Sequence, residues 1–121
     1  MDKIEIVFEG LDTHATVTLN NKVILNADNM FRSWIVDVKD VIKPTKNRLK
    51  VLFKSVVKYD DEELRKFGKH VLPSSYDDAE VYSRKAAYHF GWDWGPKIVT
   101  CGIWKPVNLR GWQSSKIDNV R

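Results

Sequence analysis

Short runs of alternating apolar and polar residues, each ended by a turn signal, fill most of the first half of the chain, and no other feature narrows its fold so far. Ile4, Ile6 and Phe8 alternate with Lys3, Glu5 and Val7, the period of a strand with one buried face. Gly10-Leu11-Asp12-Thr13 breaks that run, and alternation resumes through Ala15, Val17 and Leu19. The Asn20-Asn21 pair separates it from a further apolar run, 23–25, and asparagine tolerates the positive φ angles of a tight hairpin. Asp28-Asn29 marks another turn. A longer strand is predicted over 31–38, with Trp34, Val36 and Val38 on one face, and the next through Leu49, Val51 and Phe53, with 39–47 as their connection.

The second half is less regular. Residues 60–68 have the form of one short helix: Asp60 can cap it with Glu63 three positions on, acids lie at its positive end, bases near its negative end, and Gly68 stops it. Its clustered carboxylates read as capping and solvation, not catalysis. Residues 68–84, with Pro73 and two serines, read as a long loop. Strand-like composition returns at 98–104 and 107–112, where Pro106 suits a strand's first residue or an edge. Several short strands, one brief helix and no βαβ alternation predict an all-β, antiparallel sandwich or barrel.

Length and composition set the outer bounds. With 121 residues, 43% hydrophobic and 30% charged, the chain is sized and composed for one soluble globular domain. No apolar run approaches the roughly 20 residues that cross a bilayer, so no membrane partner is expected. The net charge of +4 comes from 20 basic and 16 acidic residues that are interspersed, a solvated surface and not a polyanion groove. Nucleic acid is therefore not an expected partner, although a basic, aromatic-bearing barrel that binds single strands is an alternative reading. Cys101 is the single cysteine, expected as a small buried apolar side chain, and leaves no internal disulfide. The opening residues carry no secretion-signal pattern, and no Asn-x-Ser/Thr acceptor occurs, a slight lean towards the cytoplasm in an otherwise open question of compartment. The abrupt entry into a strand also fits a chain cut from something longer.

Standard catalytic and metal motifs are absent: no glycine-rich phosphate loop, no paired cysteines, no His-Glu-x-x-His, and three histidines widely spaced. No cofactor is expected. The segment Tyr88-His89-Phe90-Gly91-Trp92-Asp93-Trp94-Gly95-Pro96 instead gathers four large aromatics around one carboxylate. Aromatic faces cover the C–H patches of a pyranose, and an ionised carboxylate accepts hydrogen bonds from neighbouring hydroxyls. The alternative from composition is that Trp92 and Trp94 are core residues and Asp93 satisfies backbone N–H groups at a turn.

The run Arg84-Lys85-Ala86-Ala87-Tyr88-His89-Phe90-Gly91-Trp92-Asp93-Trp94-Gly95-Pro96, followed by Gly102-Ile103-Trp104-Lys105-Pro106-Val107, resembles the end of the sugar-binding domain in β-mannosidases of glycoside hydrolase family two. Phe8-Glu9-Gly10-Leu11-Asp12-Thr13, Leu19-Asn20 and Ala27-Asp28-Asn29-Met30-Phe31-Arg32 are similar to the first half of the same domain, in the same order. The resemblance runs from Lys3 to Arg121. It implies a jelly-roll sandwich related to galactose-binding domains, residues 1–121 forming a single, truncated domain that lacks the family's opening strands and so exposes a sheet edge. It implies a parent retaining exo-β-mannosidase in which Asp93 accepts hydrogen bonds from the hydroxyls of a terminal β-mannosyl sugar and Trp92 lines its pocket. Trp94, His89 and Arg84 are implied as supports of that loop. The immunoglobulin-like domain and (β/α)8 barrel of the family are the implied partners. The barrel supplies the acid/base and the nucleophile, so no catalytic residue is expected here and the chain alone is expected to be inactive. A free-standing carbohydrate-binding module of the same fold is the alternative.

Overall fold

The computed structural model describes residues 1–68, 82–91 and 96–120. The strands are β1 (Lys3–Phe8), β2 (Leu11–Asp12), β3 (His14–Leu19), β4 (Lys22–Asp28), β5 (Trp34–Asp37), β6 (Leu49–Phe53), β7 (Gly102–Ile103) and β8 (Val107–Trp112). One α-helix, α1, spans Val56–Phe67, and a 3-10 turn spans Ala87–Phe90. Every strand pairing is antiparallel: β5-β1-β8 form one sheet, β4-β3-β6 a second, and β2-β7 a two-stranded ribbon.

Alternation puts Ile4, Ile6 and Phe8 of β1 and Ala15, Val17 and Leu19 of β3 on facing surfaces, and these central strands supply most of the buried core with Leu11, Ala27 and Val38. Trp34, Val36, Val51 and Phe53 pack against it from the outer strands. The sandwich is open at one margin. Leu49, in register with Leu19, and Leu109, in register with Ile6, stand on the inward faces of their strands yet are 43% and 61% exposed.

The β3–β4 hairpin has the expected cause. Leu19 pairs with Lys22, and the two residues between them, Asn20 (φ 50°) and Asn21 (φ 68°), take the left-handed conformations of a turn whose twist matches the strands. The Asn20 side chain then ties the hairpin to the 39–47 connection: its Nδ2 donates to the Val41 carbonyl (3.0 Å) and to Asn47 Oδ1 (2.9 Å), and its Oδ1 accepts from the Arg48 N–H (2.9 Å).

Three sequence expectations are corrected. The helix begins four residues before Asp60, capped by Ser55, whose side chain accepts from the Lys58 N–H (3.4 Å). Asp60 lies instead in the helix body, buried and accepting from the Ser83 hydroxyl, on the same face as Val56. Gly68 (φ 80°) does end the helix, its N–H reaching the Leu64 carbonyl at 2.8 Å. In 98–104 only Gly102–Ile103 is strand, paired with Leu11–Asp12, whose own pairing the turn-like composition hid. Cys101 is exposed, because the chain there runs along the surface before β7. The long loop expected over 68–84 falls mostly outside the described residues.

Candidate functional site

Residues 83–91 lead into the tryptophan-rich segment, and each of the first four is pinned to a different part of the sandwich. Ser83 Oγ lies 2.8 Å from His14 Nε2 in β3 and donates to Asp60 of α1. Arg84 bridges Asn29 in parallel fashion, and its carbonyl accepts from the Met30 N–H (3.0 Å). Its guanidinium extends to the surface, 3.8 Å from Asp28. Lys85 turns inward: its ammonium, 0% exposed, donates to both carboxylate oxygens of Asp12 in β2 and to the Thr100 carbonyl (2.7 Å). The Thr13 hydroxyl also donates to Asp12. The Ala86 N–H then points at the sulfur of buried Met30, 3.2 Å away.

The 3-10 turn follows, with Phe90 buried and Tyr88 exposed and stacked on His89 at 4.8 Å. Gly91, at φ 106°, comes so close to the returning chain that a Cβ there would meet the Lys97 Cβ at 3.6 Å. The chain on either side of 92–95 is therefore drawn together at its base.

Beside that base lies a cleft of about 360 Å³ walled by Tyr88, His89, Thr100, Cys101, Ile103 and Trp104, with Asp12 at its floor. The Trp104 indole lies against Gly10 and donates from Nε1 to the Met30 carbonyl (3.1 Å), while Lys105 Nζ stands 4.6 Å above the ring. On the other side of Ser83, the His14 ring lies tilted by 35° against Tyr59, with the ring centroids 4.0 Å apart. Burial holds the His14 imidazole below its ordinary value, opposed by the charge of Asp28 and assisted by that of Lys54.

Of the residues singled out in the sequence, Trp92, Asp93 and Trp94 lie outside the described residues. His89 stands in the cleft, its Nδ1 3.5 Å from the Thr100 hydroxyl, and Arg84 joins the loop's base through its backbone while its side chain faces Asp28. Asp12, Lys85 and Trp104 sit inside the motif segments, yet no role followed from spacing alone, since Asp12 and Lys85 are 73 residues apart. Among the described residues no three His, Cys, Asp or Glu side chains gather as metal ligands, and no helix is long and apolar enough to cross a membrane.

Among the described residues the antiparallel sheets form a β-sandwich of the galactose-binding-like class, with a surface cleft beside the stretch 88–89. Residues 1–105 match the family described as glycosyl hydrolase 2 galactose-binding domain-like, and the chain belongs to that family. It is 41% identical over 114 residues to β-mannosidase B of Thermothelomyces thermophilus, covering 93% of this chain and 13% of that protein. It is 32% identical over 123 residues to the β-mannosidase of Mus musculus, covering 96% of this chain and 14% of the relative. The crystal structure of a β-D-mannosidase from Dictyoglomus thermophilum superposes with a TM-score of 0.82 at 42% identity over 91% of this chain and 13% of the other. The chain thus spans about one-eighth of the length of the relatives it matches.

Proposed function

We propose that the chain is the sugar-binding-type domain of a longer, retaining exo-β-mannosidase, and that it helps to hold the terminal β-mannosyl residue without cutting it. The observation that carries this reading is the likeness, at 41% and 42% identity across 93% and 91% of the chain, to proteins named β-mannosidase. In this reading residues 1–121 form one truncated domain, and strands supplied from elsewhere in the protein cover the open margin at Leu49 and Leu109. An immunoglobulin-like domain and a catalytic barrel complete the enzyme.

Within it, Asp93 accepts hydrogen bonds from sugar hydroxyls remote from the scissile bond and Trp92 lines the pocket, with Trp94, His89 and Arg84 as supports. The pinned stretch 83–91 and the close approach of Gly91 to Lys97 support that assignment, since a substrate-orienting segment needs a fixed base. Retaining cleavage requires two carboxyls about 5–5.5 Å apart, supplied in this reading by the barrel. Binding at remote hydroxyls positions the sugar for attack, so Asp93→Ala in the full-length enzyme should lower kcat/KM by roughly a hundredfold on an aryl β-mannoside. Unchanged kinetics in a folded variant would remove the assignment.

A further inference from the structure

We infer that Lys85 is a positioning residue for the mannoside pocket, acting through its buried pairing with Asp12; the inference rests on the reading that Trp92 and Asp93 meet the sugar. An ammonium has three N–H donors. Here all three have acceptors, namely the two oxygens of Asp12 and the Thr100 carbonyl, and the side chain is completely out of water. Lys85 itself lies in the stretch that enters the 3-10 turn, and its acceptors belong to two others: β2, and the stretch that returns towards β7. Lys85 therefore fixes both described flanks of 92–95 against the same point of the sandwich. Asp12 is in turn fixed by the Thr13 hydroxyl and by the pairing of β2 with β7.

Packing alone does not explain this arrangement. Two apolar side chains of similar volume hold a buried site as well as an ion pair, or better, because neither has to be desolvated. What the pair adds is direction: a buried lysine whose three donors must each find an oxygen narrows the placements of its backbone relative to β2 and Thr100 more than apolar contact does. A base set in this way fixes where the next residues begin, and a displacement of about 1 Å in a substrate-positioning group can lower a rate constant a hundredfold.

The test uses the full-length enzyme with both partners replaced together, Asp12→Leu with Lys85→Met, so that no unpaired charge stays buried. The expected result is a folded enzyme, by circular dichroism and melting temperature, whose kcat/KM on an aryl β-mannoside is roughly tenfold to a hundredfold lower. Placed in the Asp93→Ala background, the same pair should cause little further loss, because its effect passes through that segment. A folded pair variant with wild-type kcat/KM overturns the inference, as does a loss that multiplies in full with that of Asp93→Ala. If Asp93→Ala itself has wild-type kinetics, it is the reading of the sugar contact that fails. Should the pair variant not fold, Lys85→Arg decides: it keeps the charge, but its planar fork cannot place donors on the same three oxygens. A folded Lys85→Arg enzyme should show the same directional loss, suppressed when Asp93 is absent, and wild-type kinetics there overturns the inference.

Discussion

Gly10→Ala tests the packing beneath the cleft. A Cβ at position 10 would lie 2.5 Å from Trp104 Nε1 and 2.8 Å from Cε2, where ordinary contacts begin at about 3.5 Å. The indole must withdraw by about 1 Å. Its hydrogen bond to the Met30 carbonyl, now 3.1 Å, then stretches to roughly 4 Å and is lost, at a net loss of about 1 kcal/mol. Overpacking adds about 1–3 kcal/mol in a closed core, but Trp104 is 46% exposed and can swing outward, which puts this contribution at the low end. Together they give a destabilisation of about 2 kcal/mol, read as a lower urea midpoint with unchanged slope. The partner is identified by repeating the substitution with Trp104→Ala, where nothing remains to displace and the effect should fall below about 0.5 kcal/mol. A Gly10→Ala midpoint equal to wild type, or the same loss with and without the indole, would refute the reasoning.

Burial depresses the His14 pKa below its ordinary 6.5, so the folded chain favours neutral imidazole, and its contribution to stability is full above 6.5 and lost as pH falls through the folded value. His14→Gln retains an N–H for Ser83 without titrating; its urea midpoint should change less than that of wild type between about pH 7.5 and 5.5, and equal slopes would dismiss the effect. The chain by itself should show no turnover of an aryl β-mannoside, since the proposed reading takes both carboxyls of retaining cleavage from the barrel; activity that follows the purified chain and is abolished by replacing one of its own carboxylates would overturn that expectation.

The strands were legible wherever one face alone is buried. Period-two alternation marked β1, β3, β5 and β6, and the Asn20-Asn21 pair marked its hairpin because few other residues accept both left-handed conformations. Misreadings arose where a local rule had two solutions. Asp60 with Glu63 satisfies the spacing of a capping box, but Ser55 caps just as well, and burial of the Val56 and Asp60 face decided between them. Leu11–Asp12 looked like a turn because its strand partner, Gly102–Ile103, is distant in sequence. The tryptophan-rich segment announced itself by composition, whereas its anchor did not. Nothing in the sequence distinguishes Lys85 from the chain's surface lysines until the fold brings Asp12 and Thr100 around it.

The pairing of β1 with β8 has a consequence for how the protein is made. Glu5 and its partner Arg110 are 105 residues apart, whereas β3, β4 and β6 all lie within 14–53. On a ribosome adding about 5–20 residues per second, the second sheet can be complete while one edge of β1 waits on the order of 5–20 s for its neighbour. During that interval its unpaired N–H and C=O groups offer a template to any other extended segment. Slowing translation between β6 and β8 should therefore increase the aggregated fraction without altering the melting temperature of the molecules that fold.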